Sequence, residues 1–564
     1  MTARPTYEQL KKDFDWPRAA AELGLEPGAP LNIGWFCSDR ICDLGKQDKD
    51  ALRWEDFRGE SRTYTFDDVR VLSNTFATFL QDQGVTAGDR VCMFLDRVPE
   101  LYIGFLGVLK MGAIVQPLFS AFGDDSLWTR LDDASTRAIV TQKKHLGKVR
   151  RARENLPGLE FVFVVDEANL REGEIRLDLA GLPRVEEYTC HPTTAETPSV
   201  LHYTSGTTGQ PKGAQHVHNS LVSQYITAKW VLDLKEDDVY WCNADPGWVT
   251  GTSYGIIGPW SNGVTQAILD AGFNAEKWYA FIERQGITVW YSAPTAIRLL
   301  MKEGLDLVRR FDLSCLRHLA SVGEPLNAEA VLWGREAFGL DFHDTYWQTE
   351  TGCMVITNFP GMEVRPGSMG KPFPGITAAV LDTRTFEPLT QPGQVGLIAI
   401  REGWPSQIRG YWNNLEGYRK KIVNGWYICG DRASIDRDGY YWFCGRDDDV
   451  INTGGHLVGP FEIESALLEH PAVAESAAVA KPDPVNMEVV KAFVTLKAGF
   501  EPSKDLELEI MNVIRKKLSG LAMPQEIEFI AALPKTRSGK IVRRILRAQE
   551  FGEPIGDVSS LMND

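Results

Sequence analysis

RVCMFLDRVPELYIGFLGVLKMGAIVQPL, residues 90–118, decides the fold class of this chain. RVCMFL (Arg90–Leu95) has the apolar texture of a buried strand, Glu100–Met111 reads as a helix, and AIVQPL (Ala113–Leu118) reads as a second strand. Strand, helix, strand in that order is the repeating unit of a parallel sheet with helices on its faces. The most apolar run of the chain, Leu101–Phe119, lies here, but Lys110, Gly112 and Pro117 interrupt it. It predicts a buried helix followed by a strand, and not a membrane span.

Working outward, the pattern repeats. A helix near Leu127–Ala134 precedes strands AIVTQ (Ala138–Gln142) and FVFVVD (Phe161–Asp166). A second round runs from Ser199 through ITVWYSAP (Ile287–Pro294) to HLASVG (His318–Gly323). From about Ile376 the texture changes to short strands, TAAVLD and GLIAIR, without long helices. Three consecutive carboxylates, Asp447–Asp449, repel and solvate well and mark a boundary. Beyond them come a helix (Glu462–His470), a strand (Val490–Leu496), a second helix (Leu506–Leu518) and a last strand (Ile527–Phe529). The expectation is an α/β protein. Residues 1–447 form a large N-terminal domain of mainly parallel sheets flanked by helices, with a β-rich subdomain at about 376–447. Residues 448–564 form a small α+β domain of independent-folding size. The segment up to about Leu31 carries no signature.

With 564 residues, 43% hydrophobic and 24% charged, the chain has the make-up of a multidomain globular protein. Its net charge of −16 argues against nucleic acid or an anionic membrane surface as partner. Nine scattered cysteines without a CxxC pair predict reduced thiols. The start MTARPTYEQLKKDFDW lacks the apolar core of a secretory signal, so a cytoplasmic location is expected.

The chemistry concentrates in YTSGTTGQPKG (Tyr203–Gly213), directly after the strand-like Ser199–His202. Glycines allow close backbone approach to a polyanion, and successive N–H groups in such a turn cradle it. Thr204, Ser205, Thr207 and Thr208 add hydroxyls and Lys212 a mobile positive charge, a set that suits nucleotide phosphates. This is not a Walker A loop, because Lys212 stands between Pro211 and Gly213. Taken alone, such a run reads better as a surface loop. GTSYG (Gly251–Gly255) fits a hydrolase nucleophile elbow in letters only, since ADPGWV precedes it in place of an apolar strand. No HExxH zinc motif occurs.

Other motifs follow in order: ADPGWVTG (Ala244–Gly251), SVGEPLN (Ser321–Asn327), DTYWQTETG (Asp344–Gly352), GWYICGD (Gly425–Asp431), GRDDDVINTGG (Gly445–Gly455) and LPKTRSGKIVRR (Leu533–Arg544). Together with the Tyr203–Gly213 loop they resemble the signatures of the acyl-adenylate-forming superfamily. Within it the chain is most similar to the acetyl-CoA synthetases and their medium-chain relatives, over nearly its whole length.

The resemblance implies an AMP-forming acid–thiol ligase. ATP and acetate, or another short-chain carboxylate, give an acyl-adenylate and pyrophosphate. CoA then takes the acyl group and AMP leaves. It implies Mg²⁺ as cofactor, with ATP and CoA as co-substrates. Thr204, Ser205, Gly206, Thr207, Thr208, Gly209 and Lys212 are then expected at the β and γ phosphates. Gly323, Glu324 and Pro325 line the adenine face, followed by Asp344, Thr345, Tyr346, Trp347 and Gln348. Thr349 bonds the α-phosphate and Glu350 holds the metal. Asp431 and Arg446 take the ribose, and Lys540 is the adenylation lysine. By the same resemblance Val249, Thr250, Val322 and Trp347 enclose the acyl group, the four matching an acetate-sized pocket. Thr250, Asn274, Gly454, Gly455 and Arg515 face CoA, Asp448 is the pivot of a mobile C-terminal domain, and Leu468, His470 and Val473 match a weaker backbone cation site. For several of these the bland alternatives stay open: a structural ion pair for Asp431 or Arg446, a solvated basic patch for Arg515, a helix cap for His470. Lys540 is also where a lysine acetyltransferase and deacetylase act in such enzymes. One departure stands out: Leu457 occupies the place after Gly455–His456 where acetyl-CoA synthetases commonly have arginine. That leaves open the strength of AMP or CoA binding and the favoured direction. A propionyl or branched short-chain ligase, a module loading a carrier protein, and a silent nucleotide-binding regulator are the rival readings.

Overall fold

The computed structural model describes residues 6–167, 169–205, 211–453, 456–484, 487–518, 522–536 and 540–555. The βαβ expectation is met in detail. Arg90–Phe94 and Ile114–Pro117 are adjacent parallel strands joined by the helix Pro99–Lys110. That helix is buried on every side because Gly104 and Gly107 admit the helix Phe66–Asp82 at close range. A Cβ on Gly104 would stand 2.7 Å from the Phe76 ring, and one on Gly107 would stand 2.8 Å from the Ser73 carbonyl. Lys110, the one charge in the run, is fully buried and paired at 2.6 Å with Asp39, while it also donates to Asn74. A buried ammonium is tolerated only with such partners.

One sheet of the large domain runs, edge to edge, through Glu174–Arg176, Phe161–Val164, Ala138–Thr141, Arg90–Phe94, Ile114–Pro117, Pro198–Ser205 and Pro211–Val217. It is parallel except at the last pair, where Pro198–Ser205 and Pro211–Val217 form an antiparallel ribbon. The second sheet has a parallel centre of Asp50–Asp56, Thr265–Asp270, Val239–Cys242, Val289–Ser292, His318–Val322 and Phe342–Tyr346. The β-rich strands beyond residue 376 are not set apart from this sheet. Ala378–Leu381, Val395–Arg401, Trp426–Ile435 and Tyr441–Arg446 continue its edge through Ser368–Pro372 and Ile356–Thr357, with antiparallel pairing. The missing long helices mark a switch from parallel to antiparallel pairing, because hairpins need no crossover.

The smaller C-terminal domain lies beyond the strand Tyr441–Arg446. Its sheet pairs Ile451–Thr453, His456–Val458, Met487–Leu496, Val473–Asp483 and Glu526–Phe529. Helices Pro460–Leu468, Lys504–Lys517 and Arg543–Phe551 accompany it, around a core of its own that includes Ile463, Leu467, Val490 and Ile510.

The segment before Leu31, unreadable as sequence, forms two capped helices, Tyr7–Asp13 and Trp16–Leu23. They dock by aromatic contact, not by motif. Phe14 meets Trp16, Trp230 and Phe373 edge-on, while Tyr7 and Trp16 donate to the carbonyls of Pro372 and Gly375. Among the described residues no helix is long and apolar enough to cross a membrane.

Candidate active site

Parallel strands collect side chains at their carboxyl ends. His318–Val322 and Phe342–Tyr346 lie side by side with Ser321 opposite Asp344 and Val322 opposite Thr345. The chain leaving the first strand carries Gly323, Glu324 and Pro325; the chain leaving the second carries Trp347 to Glu350. Gly323 turns at φ +90°, a conformation that favours glycine. Glu324 is held rigidly: Thr295 donates to its carboxylate at 2.7 Å and Arg298 at 2.6 Å. Asp344 is buried, and burial pushes its carboxyl up to about 7 against the backbone N–H groups of Thr345 and Leu326.

Asp431 and Arg446 face each other across the antiparallel pair Trp426–Ile435 and Tyr441–Arg446. Asp431 Oδ2 accepts from the Tyr346 hydroxyl at 2.7 Å and from Gln348 Nε2 at 2.6 Å; Tyr427 in turn donates to Gln348 Oε1 at 3.1 Å. Burial raises the Asp431 pKa, while Arg446 and these donors oppose the shift. Burial works against the Arg446 charge, but Asp431 and Asp448 more than offset it, and its pKa is raised.

Glu350 sits on a loop fastened from below. Trp404 Nε1 and Ser406 Oγ donate to the Thr351 carbonyl at 2.7 and 2.8 Å, and Gln224 donates to that of Gly352 at 3.1 Å. The Glu350 Oε1 atom accepts from the Tyr411 hydroxyl at 2.6 Å. Lys212 reaches the same tyrosine, its ammonium 5.5 Å from the ring centroid. The register Thr204 opposite Lys212 brings both ends of the glycine-rich loop together. Gly206, Thr207, Thr208 and Gly209, like Gly454 and Gly455, lie outside the described residues, and for Ser205 only the strand is described.

Trp347 is buried edge-on to Tyr254, centroids 5.1 Å apart, and its indole N–H donates to the Tyr291 hydroxyl at 3.3 Å. Val322 is buried opposite Thr345 on the neighbouring strand, and Val249 and Thr250 open the short helix Val249–Thr252 half-buried. Gly251 in that helix is a packing glycine, since a Cβ there would stand 2.2 Å from the Asp245 carbonyl. Ser253 of the GTSYG match is buried in a helical segment, its hydroxyl accepting from Gln224. It is no exposed elbow nucleophile.

The C-terminal domain brings Lys540 to this cleft. Two hydrogen bonds to Thr536 hold its backbone: Thr536 N–H donates to the Lys540 carbonyl at 2.8 Å, and Lys540 N–H donates to Thr536 Oγ1 at 3.1 Å. The side chain keeps contact with solvent. Protein nevertheless surrounds the ammonium closely enough to lower its pKa; Arg446 pushes the same way, while Glu324 and Asp431 oppose. The two domains also touch directly, through Asn327 Nδ2 donating to Ser465 Oγ at 2.8 Å and Phe443 edge-on to Phe461. Asp448 lies between the last strand of one domain and the first of the other, bonded to Arg446 at 3.0 Å.

The remaining positions lie apart from this cluster. Asn274 is exposed and caps the helix Ala275–Gln285, accepting from Lys277 N–H, and Arg515 is exposed on Lys504–Lys517. His470 closes the turn that carries Leu468 and Val473: its Nδ1 accepts from Ala472 N–H and its carbonyl from Val473 N–H. Among the described residues no cluster of three His, Cys, Asp or Glu side chains forms a metal cage. The tyrosines that organise the site, Tyr254, Tyr291, Tyr411 and Tyr427, escaped sequence reasoning. Tyr254, Tyr291 and Tyr427 fall within GTSYG, ITVWYSAP and GWYICGD, but none of the four stands at a spacing that marks a role.

This architecture defines the class. Residues 43–412 match the family model described as AMP-binding enzyme, and residues 462–540 match the AMP-binding enzyme C-terminal domain. The chain belongs to that family. Within it, the chain is 46% identical to the acetyl-coenzyme A synthetase of Bacillus subtilis, over 98% of this chain and 97% of that protein. Among solved structures it resembles the acyl-CoA synthetase of Brucella canis, at TM-score 0.76 and 36% identity, covering 97% of this chain and 99% of the other. It also resembles the anthranilate CoA ligase AuaEII in complex with anthranoyl-AMP, at TM-score 0.84 and 30% identity, covering 92% and 97%.

Proposed function

We propose that the chain is an AMP-forming acetate–CoA ligase, converting ATP, acetate and CoA to acetyl-CoA, AMP and pyrophosphate through acetyl-adenylate. The observation that carries it is the 46% identity to an acetyl-coenzyme A synthetase along the chain's length, and the buried Trp347 supports an acetate-sized pocket. A short acid fits a pocket closed by an indole; longer acids do not.

In this reading the first step sets a carboxylate against an already anionic phosphate, so positioning and charge neutralisation do most of the work. Asp431 takes the ribose hydroxyls with the carboxylate oxygen that Tyr346 and Gln348 leave free, and Arg446 lies opposite. Gly323–Pro325 and Asp344–Gln348 frame the adenine. Thr204, Lys212 and the loop between them hold the outer phosphates, Thr349 bonds the α-phosphate, and Lys540 neutralises charge as the acyl carboxylate attacks. The donor set fits Mg²⁺: Glu350 offers one pinned carboxylate, which suits a cation that takes its other ligands from phosphates and water. Bound there, the ion supplies charge compensation to the phosphates.

CoA approaches by way of Thr250, Asn274, Gly454, Gly455 and Arg515, after the domain 448–564 swings about Asp448. Acetylation of Lys540 by a lysine acetyltransferase removes its charge and stops the first step. Nine unpaired cysteines suit a reducing cytoplasm. The test is isotope exchange between ATP and pyrophosphate. Exchange should require acetate and not CoA, and adding CoA should yield acetyl-CoA and AMP in equal amounts. Purified protein that binds ATP yet shows no acetate-dependent exchange is a regulator instead.

A further inference from the structure

The indole of Trp347 does not stand by packing alone. Its N–H donates to the Tyr291 hydroxyl at 3.3 Å, and that hydroxyl lies 2.7 Å from Thr345 Oγ1. Thr345 donates its own proton to the Ser321 carbonyl at 2.7 Å, which can only accept. The direction of every bond follows: Trp347 to Tyr291, Tyr291 to Thr345, Thr345 to Ser321. Tyr291, Thr345 and Ser321 are buried on three neighbouring parallel strands, Val289–Ser292, His318–Val322 and Phe342–Tyr346. Ser321 directly precedes Val322, and Thr345 lies two residues before Trp347.

We propose that Tyr291 sets the acyl-chain length accepted by the enzyme, acting as a positioning residue that holds the Trp347 indole upright as the pocket wall. The proposal rests on the acetate reading above and deepens it. Tyr254 packs against the edge of the indole but makes no hydrogen bond to it; its hydroxyl accepts from Met354 N–H and pairs with Thr227. The Tyr291 hydroxyl is therefore the group that fixes the ring's orientation about its last torsion. A buried indole N–H seeks a partner. Without that oxygen, the ring turns towards another acceptor and its wall gives way, although its volume stays. The chain of one-way bonds also ties the wall to the strands that deliver Asp344 and Gly323, so acid selection and nucleotide framing share one support.

The experiment measures kcat/KM for acetate, propionate and butyrate, and KM for ATP, in the parent and in Tyr291→Phe, Thr345→Val and Thr345→Ser. In Tyr291→Phe the propionate-to-acetate ratio should rise by about tenfold, within the range one methylene is worth in a tight pocket. Thr345→Val should move the ratio the same way, and Thr345→Ser, which restores the hydroxyl, should keep the parent's ratio. If all acids lose activity together in Tyr291→Phe and the ratio stays put, the tyrosine is ordinary core and the proposal is wrong. Should Tyr291→Phe fail to fold, an unchanged ratio in Thr345→Val overturns the proposal equally. A parent enzyme that prefers butyrate to acetate overturns the acetate reading itself, a separate result visible before any variant is made.

Discussion

At the scale of single residues, this protein separates groups that look alike in its sequence. Glu350 and Glu324 are both half-buried carboxylates just beyond neighbouring parallel strands. Glu324 is taken up by Thr295 and Arg298, whereas the Glu350 carboxylate meets one tyrosine through Oε1, which leaves it suited to the cation role proposed for it. Trp347 is the residue to which the proposed reading gives control of substrate size. Trp347→Gly vacates the indole's volume, but Tyr254 stands behind it and bounds the new space. Acids longer by one or two carbons then gain about 0.8 kcal/mol per buried CH₂, while acetate loses the contacts that aim it at the phosphate. Profiles of kcat/KM from acetate to hexanoate should fall steeply after propionate in the parent and peak at propionate or butyrate in the variant. An unaltered order at lower activity identifies the tryptophan as plain filling.

At the scale of elements, the loop Thr349–Gly352 shows how local backbone serves the site. Gly352 turns at φ +68°, and a Cβ there would stand 2.4 Å from the Ser406 carbonyl. Gly352→Ala therefore meets both a left-handed conformation, costing on the order of 1–3 kcal/mol, and a clash with backbone. The loop has to shift, and it carries Glu350. Acetate-dependent exchange should drop at least tenfold and its Mg²⁺ requirement should rise, while the melting temperature falls by a few degrees, as the size of the chain dictates. Full activity at ordinary Mg²⁺ in that variant rules out the loop as the holder of the metal carboxylate. The strands themselves were legible: glycine punctuation and apolar runs of four to six residues are written in consecutive letters. The helices before Leu31 were not, because their attachment is aromatic contact with Phe373 and Trp230, hundreds of positions away.

At the scale of the molecule, the small domain sets Lys540 within electrostatic reach of Asp431, Glu324 and Arg446. A chain of net charge −16 handles polyanionic substrates only where cations gather, and here Lys212, Arg446 and Lys540 come from segments far apart. Lys540→Ala should abolish acetate-dependent ATP–pyrophosphate exchange by at least a hundredfold, the range lost when one preorganised charge is removed from a phosphate transition state. Acetyl transfer to CoA from supplied acetyl-adenylate should persist within a few fold, because in the proposed reading the domain turns the lysine away for that step. Equal loss in both halves contradicts a role confined to adenylation.

What this sequence determined by itself is the order of its parts and their class: the alternation of strands and helices, the glycine-rich loop, and the series of motifs ending at Lys540. These depend on neighbouring residues and on backbone chemistry, so they can be read along the chain. The tertiary structure alone decided which partners each group has. Tyr411 joins Glu350 to Lys212, Tyr291 supports Trp347, Asn327 meets Ser465 across the domains, and the late β-strands continue a parallel sheet. Each of these pairs residues remote in sequence, and a tyrosine that holds a functional group has the same local pattern as one that merely fills a core. Only the closing of the fold tells them apart.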